Sequence, residues 1–207
     1  MNLAGLLKAT TELLQKEKMR FALAGGLVAS LYRTQMRLTQ DLDFLIFSRS
    51  DHEAEARRLL GLLGLNAVTL TKADLEGGPQ HLIKSRRSPV WMVSGISPDK
   101  EAIRVDFLLP TFPWAERALE RAEKNLIDFG FGPVSCLTRE DLVLAKLFAV
   151  SMKSDRFKDL DDLQDIFQQS EKLDLNYLSD RIAELRLKKP LSLRDKIPRG
   201  LEKSFLK

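Results

Sequence analysis

The sequence predicts an α/β (α+β) protein: a mixed sheet flanked by helices, followed by a C-terminal helical part. Three observations carry this. Short apolar runs of strand length at 21–24, 41–47, 90–96 and 102–109 alternate with helical periodicity through the first 128 residues. A Gly-rich stretch, Asp128 to Pro133, interrupts the pattern. Beyond it the apolar spacing is helical only, at 139–152, 155–170 and 174–186. The expected organisation is a core over 1–128 and a helical subdomain over 129–207 that ends in a basic tail.

Each element has its own signal. Leu3, Leu7, Thr10 and Leu14, with Leu6 and Leu13 beside them, put an amphipathic helix over 2–17. Phe21-Ala-Leu-Ala24 is a buried strand ending in a tight turn at Gly25-Gly26, and Leu27 to Tyr32 is a short helix. Asp41 to Phe47 is a strand, and Ala54, Ala56, Leu59, Leu60 and Leu63 mark a helix over 51–64. Strands at Val90–Ile96 and Ala102–Leu109 are separated by the turn-forming Ser-Pro-Asp-Lys at 97–100, with a further strand expected at 80–84. Pro113 to Lys124 is a helix entered at a proline. Thr138, three residues before Asp141, is a variant of a capping box for the helix over 139–152.

Composition narrows the class. Among 207 residues, 44% are hydrophobic and 30% charged, an ordinary globular balance. Cys136 is the single cysteine, so there is no intrachain disulfide and no Cys-rich metal site. No run nears the roughly 18 apolar residues of a membrane span, and the N-terminus lacks a basic lead-in, so a cytoplasmic protein that does not engage membranes is expected. From Arg181 to Lys207 there are nine Lys/Arg against three Asp/Glu: either a solvated end or a surface for phosphates. His52 and His81 have no ligand at zinc spacing. Trp91 and Trp114 sit in apolar surroundings and read as core.

The chemical signal is acidic. Residues two apart on a strand project to one face, so Asp41 and Asp43 set two carboxylates side by side. Their mutual repulsion calls for an oxygen-preferring divalent ion, Mg²⁺ or Mn²⁺. Asp106, in the otherwise apolar strand Ile103 to Leu109, is a third carboxylate that needs a partner. If its strand lies beside Asp41–Phe47, the three can hold two ions about 3.5–4 Å apart. Gly25 and Gly26, at a helix start with no side chains in the way, suit a phosphate. Lys146 shares a helix face with Leu142, Val143, Ala149 and Val150 and needs an anion, for which Asp159 or a triphosphate would serve; the alternative is snorkelling to water. Asp159 and Asp162 lie one turn apart. Arg37 and Thr39, just ahead of the acidic pair, either position phosphate or fix the turn.

The pattern of Gly-Gly turn, Asp-x-Asp and later strand-borne Asp resembles the nucleotidyltransferase superfamily with the polymerase-β-like fold. Within it, Gly25-Gly26-Leu-Val-Ala-Ser-Leu-Tyr32 with Arg37-Leu-Thr-Gln-Asp-Leu-Asp-Phe44 is similar to the AbiEii toxin-like family. Leu137 to Ala149 and Arg156-Phe-Lys-Asp159-Leu-Asp-Asp162-Leu163 resemble that family's Lys-bearing helix and its Asp-x-x-Asp-Leu helix. Two departures stand out: Gly26 replaces the serine of the stricter superfamily form, and Lys158 stands where Arg is usual. The resemblance implies an enzyme that transfers a nucleoside monophosphate from an NTP to a hydroxyl on RNA, tRNA, protein or a small molecule. Asp41, Asp43 and Asp106 would hold metal; Lys146, Asp159 and Asp162 would join the catalytic set. Gly25, Gly26, Arg37, Thr39 and Lys146 would hold nucleotide, and a cognate antitoxin would be a partner. The alternative is a non-catalytic binding protein, or a toxin component acting by association, on the same fold.

Overall fold

A computed structural model of the chain describes residues 2–49, 51–72, 90–98 and 103–206. The order of elements is α1 (Leu3–Lys16), β1 (Arg20–Ala24), α2 (Gly25–Tyr32), β2 (Asp41–Phe47), α3 (His52–Leu62), β3 (Asn66–Lys72), β4 (Val90–Ile96), β5 (Arg104–Leu108), α4 (Ala115–Ala122), β6 (Leu126–Asp128), β7 (Pro133–Ser135), α5 (Arg139–Met152), α6 (Phe157–Phe167) and α7 (Leu175–Glu184). Strand β3 was not expected from the sequence. The strand expected at 80–84, the second half of the 97–100 turn and His81 lie outside the described residues.

Five strands form one mixed sheet in the order β1-β2-β5-β4-β3. Only β2 and β5 pair in parallel; the other neighbours are antiparallel. The register sorts side chains by face. Leu23 opposes Phe44 and Phe44 opposes Phe107, and these fully buried residues build the core side, with the rings of Phe44 and Phe107 edge to face at 6.3 Å. Phe21 packs against Phe44 on the same face. Leu42 opposes Val105 there, both fully buried.

The helical part shares this core. The stretch between 128 and 133 is a short hairpin, β6–β7, and the chain leaving it runs along the outer edge of β1: Leu137 N donates to Leu23 O at 2.9 Å. Tyr32 Oη donates to Leu137 O at 2.8 Å, and the Asn125 amide donates to Tyr32 Oη and to the carbonyls of Cys136 and Leu137. The edge of β1 is thereby covered.

The cap of α5 differs from a reciprocal box. Thr138 Oγ1 accepts from Asp141 N, as expected, but the Asp141 carboxylate takes Arg121, Tyr177 and the Thr138 hydroxyl instead of reaching back. The basic tail is anchored too. Leu187, Leu193, Ile197, Leu201 and Phe205 are buried, while Arg186, Lys188, Arg194, Lys196, Arg199 and Lys203 stay exposed.

Candidate active site

The parallel pairing of β2 with β5 positions the carboxylates. Asp43 is in register with Asp106, and Asp41 with Arg104. All four therefore project from one face, opposite Leu42, Phe44, Val105 and Phe107. The sequence-predicted trio is brought together on adjacent strands, together with a cation that sequence reasoning missed. Arg104 Nη2 lies 3.1 Å from Asp41 Oδ2, and its Nε 2.9 Å from Asp106 Oδ2. The signal was present: an Arg two residues before an Asp in a strand must share its face.

The turn at Gly25-Gly26 works by close approach. Gly25 has φ +63°, and a Cβ there would fall 1.7 Å from Asp43 Oδ2. A Cβ on Gly26 would meet Arg37 Nη2 at 2.7 Å and Thr39 Oγ1 at 3.1 Å. The glycines thus leave room for Asp43 and for the Arg37–Thr39 segment at the start of α2. No side chain caps that helix start, and Gly25 and Gly26 line the cleft.

Two clefts adjoin here. A polar one of about 750 Å³ is lined by Gly25, Gly26, Thr39, Asp41, Asp43 and Lys146, among others. A second of about 540 Å³ shares Gly25, Asp43, Arg104 and Lys146 with it and takes in Asp106.

Behind the polar cleft is a buried ionic hub. Asp162, fully buried, accepts from Arg33 Nη1 at 2.6 Å, from Arg37 Nε at 2.8 Å and Nη2 at 3.0 Å, and pairs with Lys146 Nζ at 2.8 Å. Lys146 Nζ also donates to Asp159 Oδ1 at 2.7 Å, and Arg156 closes on the other oxygen of Asp159. Lys146 is only 5% exposed, so it does not snorkel. Its anions are Asp159 and Asp162. Arg37 is held by Asp162, and Thr39 Oγ1 contacts the backbone of Asp41 at 3.3–3.4 Å, so both fix the turn leading into β2 while lining the cleft. Arg33, Arg104 and Arg156 were not anticipated as members of the site.

The electrostatics differ between the two groups. Burial, and then the charge of Asp106, push the Asp43 carboxyl up to about 6, with Lys146 opposing. Burial likewise raises Asp106 against the pull of Ser94 and Arg104. Burial would also raise Asp159 and Asp162, but Lys146 and the flanking arginines outweigh it, and both are held below the usual carboxylate range. The hub is charge-satisfied; the trio is short of positive charge.

The donor set suits a divalent metal. It is all carboxylate oxygen, and Asp106 Oδ1 is buried with no hydrogen-bond partner among the described residues. As they stand, no three His, Cys, Asp or Glu side chains among the described residues are gathered closely enough to hold an ion, and Arg104 pairs with both Asp41 and Asp106.

A pH effect follows from Asp43. Its folded pKa, about 6, exceeds its ordinary 3.8, so the folded state holds the proton more tightly and ionisation opposes folding. In chelator the protein should lose stability through this group as pH rises from about 4 to about 6. Asp159 and Asp162 have the opposite sign, and their contribution is lost only as pH falls below the ordinary range. Melting temperatures measured in chelator between about pH 5 and about pH 7 should fall more for wild type than for Asp43→Asn. Parallel curves would contradict the raised carboxyl.

The family to which the sequence is matched defines the chain as a nucleotidyltransferase. Residues 9–205 match the family model of the nucleotidyl transferase AbiEii toxin of type IV toxin–antitoxin systems. The chain belongs to that family. No curated protein is matched. Among solved structures, the chain is similar to an antigenic nucleotidyltransferase-like protein from Paracoccidioides brasiliensis, with 13% identity, a TM-score of 0.53, and 98% of this chain and 85% of that one covered. It is also similar to the antibiotic-resistance factor ANT(2'')-Ia, with 13% identity, a TM-score of 0.52, and 88% and 90% covered. These likenesses concern the fold. Among the described residues no helix is long and apolar enough to cross a membrane.

Proposed function

We propose that the protein transfers a nucleoside monophosphate from an NTP to a hydroxyl acceptor, RNA or tRNA first among the candidates, in a Mg²⁺- or Mn²⁺-dependent reaction. The observation that carries this is the register of Asp43 with Asp106, beside Asp41, over the uncapped start of α2. Asp41, Asp43 and Asp106 would hold the metal, which when bound screens the triphosphate and acidifies the attacking hydroxyl. The N–H groups at Gly25-Gly26 orient the phosphates. Lys146, at the junction of the two clefts, supplies fixed positive charge beside Asp43. The acceptor oxygen bonds to the α-phosphorus, the bond from that phosphorus to the β-phosphate bridging oxygen breaks, and pyrophosphate leaves. The hydroxyl proton passes to a carboxylate, for which Asp106 Oδ1 is unpartnered. The family's toxin–antitoxin context makes a cognate antitoxin the expected protein partner.

The test is transfer of label from each α-³²P NTP, with Mg²⁺ or Mn²⁺, to total RNA and to total protein. Label on RNA with pyrophosphate release is expected; no transfer to either pool with any NTP would overturn the proposal. Independently, a divalent ion should raise the melting temperature by mass action, by about 2.7 kcal/mol of stability at a hundredfold excess over Kd. The rise should weaken below about pH 6, where protonated Asp43 competes with the ion. A melting curve unmoved by millimolar metal would argue against the carboxylate site.

A further inference from the structure

The polar cleft has an apolar lip that the fold does not require. Leu38 is 99% exposed, Met36 88% and Phe157 76%. Leu38 and Phe157 both line the cleft, and their exposure places them at its mouth. They come from distant parts of the chain, the segment between α2 and β2 and the first turn of α6. Apolar residues scattered singly over a surface mean little, but large ones gathered at the opening of a cleft mark a contact site.

The lip is also held in place. Arg37 turns inward to Asp162, and Ser30 Oγ donates to Arg37 O at 3.0 Å, while Met36 and Leu38 on either side of it stay in solvent. Upstream, Thr34 N and Thr34 Oγ1 donate to the two oxygens of Asp165 at 2.7 and 2.8 Å, tying the same segment to α6. On α6, Asp159 and Asp162 pair with Lys146, and Phe157 and Lys158 are left exposed. Holding two aliphatic side chains in water on a fixed segment contributes nothing to folding. It does preorganise a surface, which lowers the cost of binding.

Position and chemistry define the occupant. A ligand that reacts at the carboxylates and also reaches side chains almost wholly in solvent extends out of the cleft, as a polymer does. Three side chains offer far less than the roughly 800 Å² per partner of a stable protein–protein interface. They are enough for one or two unstacked bases. Lys158 is exposed beside Phe157, and the Arg156 side chain before it is half exposed, so cations that suit a phosphate backbone flank the ring. We propose that this lip docks the single-stranded 3′ end of an RNA acceptor, with a base upstream of the terminal nucleotide stacked on Phe157 and its neighbour against Leu38 and Met36. The proposal rests on the nucleotidyl-transfer reading and makes its acceptor a polymer, not a small molecule. A duplex keeps its bases stacked on one another and does not fit.

The three side chains are exposed, so replacing them should leave the fold intact. The full-length protein is titrated without NTP, by fluorescence anisotropy, with a 5′-labelled single-stranded oligoribonucleotide bearing a free 3′ hydroxyl and with the same sequence as a blunt duplex. Phe157→Ser should weaken binding of the single strand about tenfold, the scale of one base–aromatic stack, and Leu38→Ser by a smaller factor. Phe157→Trp keeps a stacking face and should bind as wild type does, and the duplex should bind more weakly than the strand. The rise in melting temperature with Mg²⁺ and NTP should be the same in all four proteins. Strand binding that is absent, or unchanged in both serine variants, overturns the proposal, as does an equal loss of the NTP response. Label transfer to RNA with a KM that Phe157→Ser does not alter overturns the lip and leaves the transfer reading standing. If the serine variants lose transfer to protein and not to RNA, the surface docks protein and the RNA proposal falls. Strand binding lost in Phe157→Ser and kept in Phe157→Trp, with no transfer to any acceptor, upholds the lip and removes the transfer reading.

Discussion

Asp43→Asn is expected to lower nucleotidyl transfer by about 10²–10³-fold, the scale of one preorganised electrostatic contact, while the protein stays folded. Asparagine keeps the shape and one oxygen of the side chain that sits over Gly25, where a Cβ would fall 1.7 Å from Asp43 Oδ2. It removes only the charge. In the metal-free protein that charge is unwelcome, since burial and Asp106 push the carboxyl up to about 6. Loss of transfer should therefore come with equal or higher stability in chelator, a combination that general damage to the fold does not produce. The rate with saturating Mg²⁺ and the melting temperature in chelator are the two measurements. A transfer rate near wild type would remove Asp43 from the chemistry.

Much of this site was legible because period-2 logic is local. Asp41 and Asp43 had to share a face, and the alternation of Asp41 to Phe47 gave a strand whose ends coincide with β2. The pairing of β2 with β5 was only a condition in the sequence, since strand order depends on contacts between distant segments; the register of Asp43 with Asp106 resolves it. Arg104 was readable by the same alternation, since it stands two residues before Asp106 on one strand. Arg33 was not readable, since its partner Asp162 lies 129 residues away on another helix. Strand β3, Asn-Ala-Val-Thr-Leu-Thr-Lys, carries alternation that went unused. The strands β6 and β7, three residues each, are too short for periodicity to appear, so their hairpin looked like a Gly-rich break.

Lys146→Met is expected to destabilise the protein by about 3 kcal/mol, the low end for removing one partner of a buried ion pair. Methionine keeps the apolar stem and the helix propensity, so the loss reports charge and not packing. The two carboxylates are affected unequally. Asp162 retains Arg33 and Arg37 at 2.6–3.0 Å. Among the described residues Asp159 keeps only Arg156, whose side chain is half exposed, so it is the carboxylate left short of charge in a buried position. The melting temperature should fall by about 6–12 °C at the usual 2–4 °C per kcal/mol for a chain of this length. Lys146→Met/Asp159→Asn should recover most of that loss, whereas pairing the change with Asp162→Asn should not, because Arg37 would then lose the carboxylate that holds it and Arg33 would be left with Asp161 and Asp165. Transfer separates a structural lysine from a catalytic one. If Lys146 only neutralises Asp159, the stability-rescued double variant should also regain its rate. If its charge also acts beside Asp43, where both clefts meet, the double variant should melt near wild type and remain about 10²-fold slow. The second outcome is expected, since Lys146 already lowers the Asp43 carboxyl against its burial. Full recovery of the rate would confine Lys146 to the hub and leave the carboxylates on β2 and β5 to carry the chemistry without it.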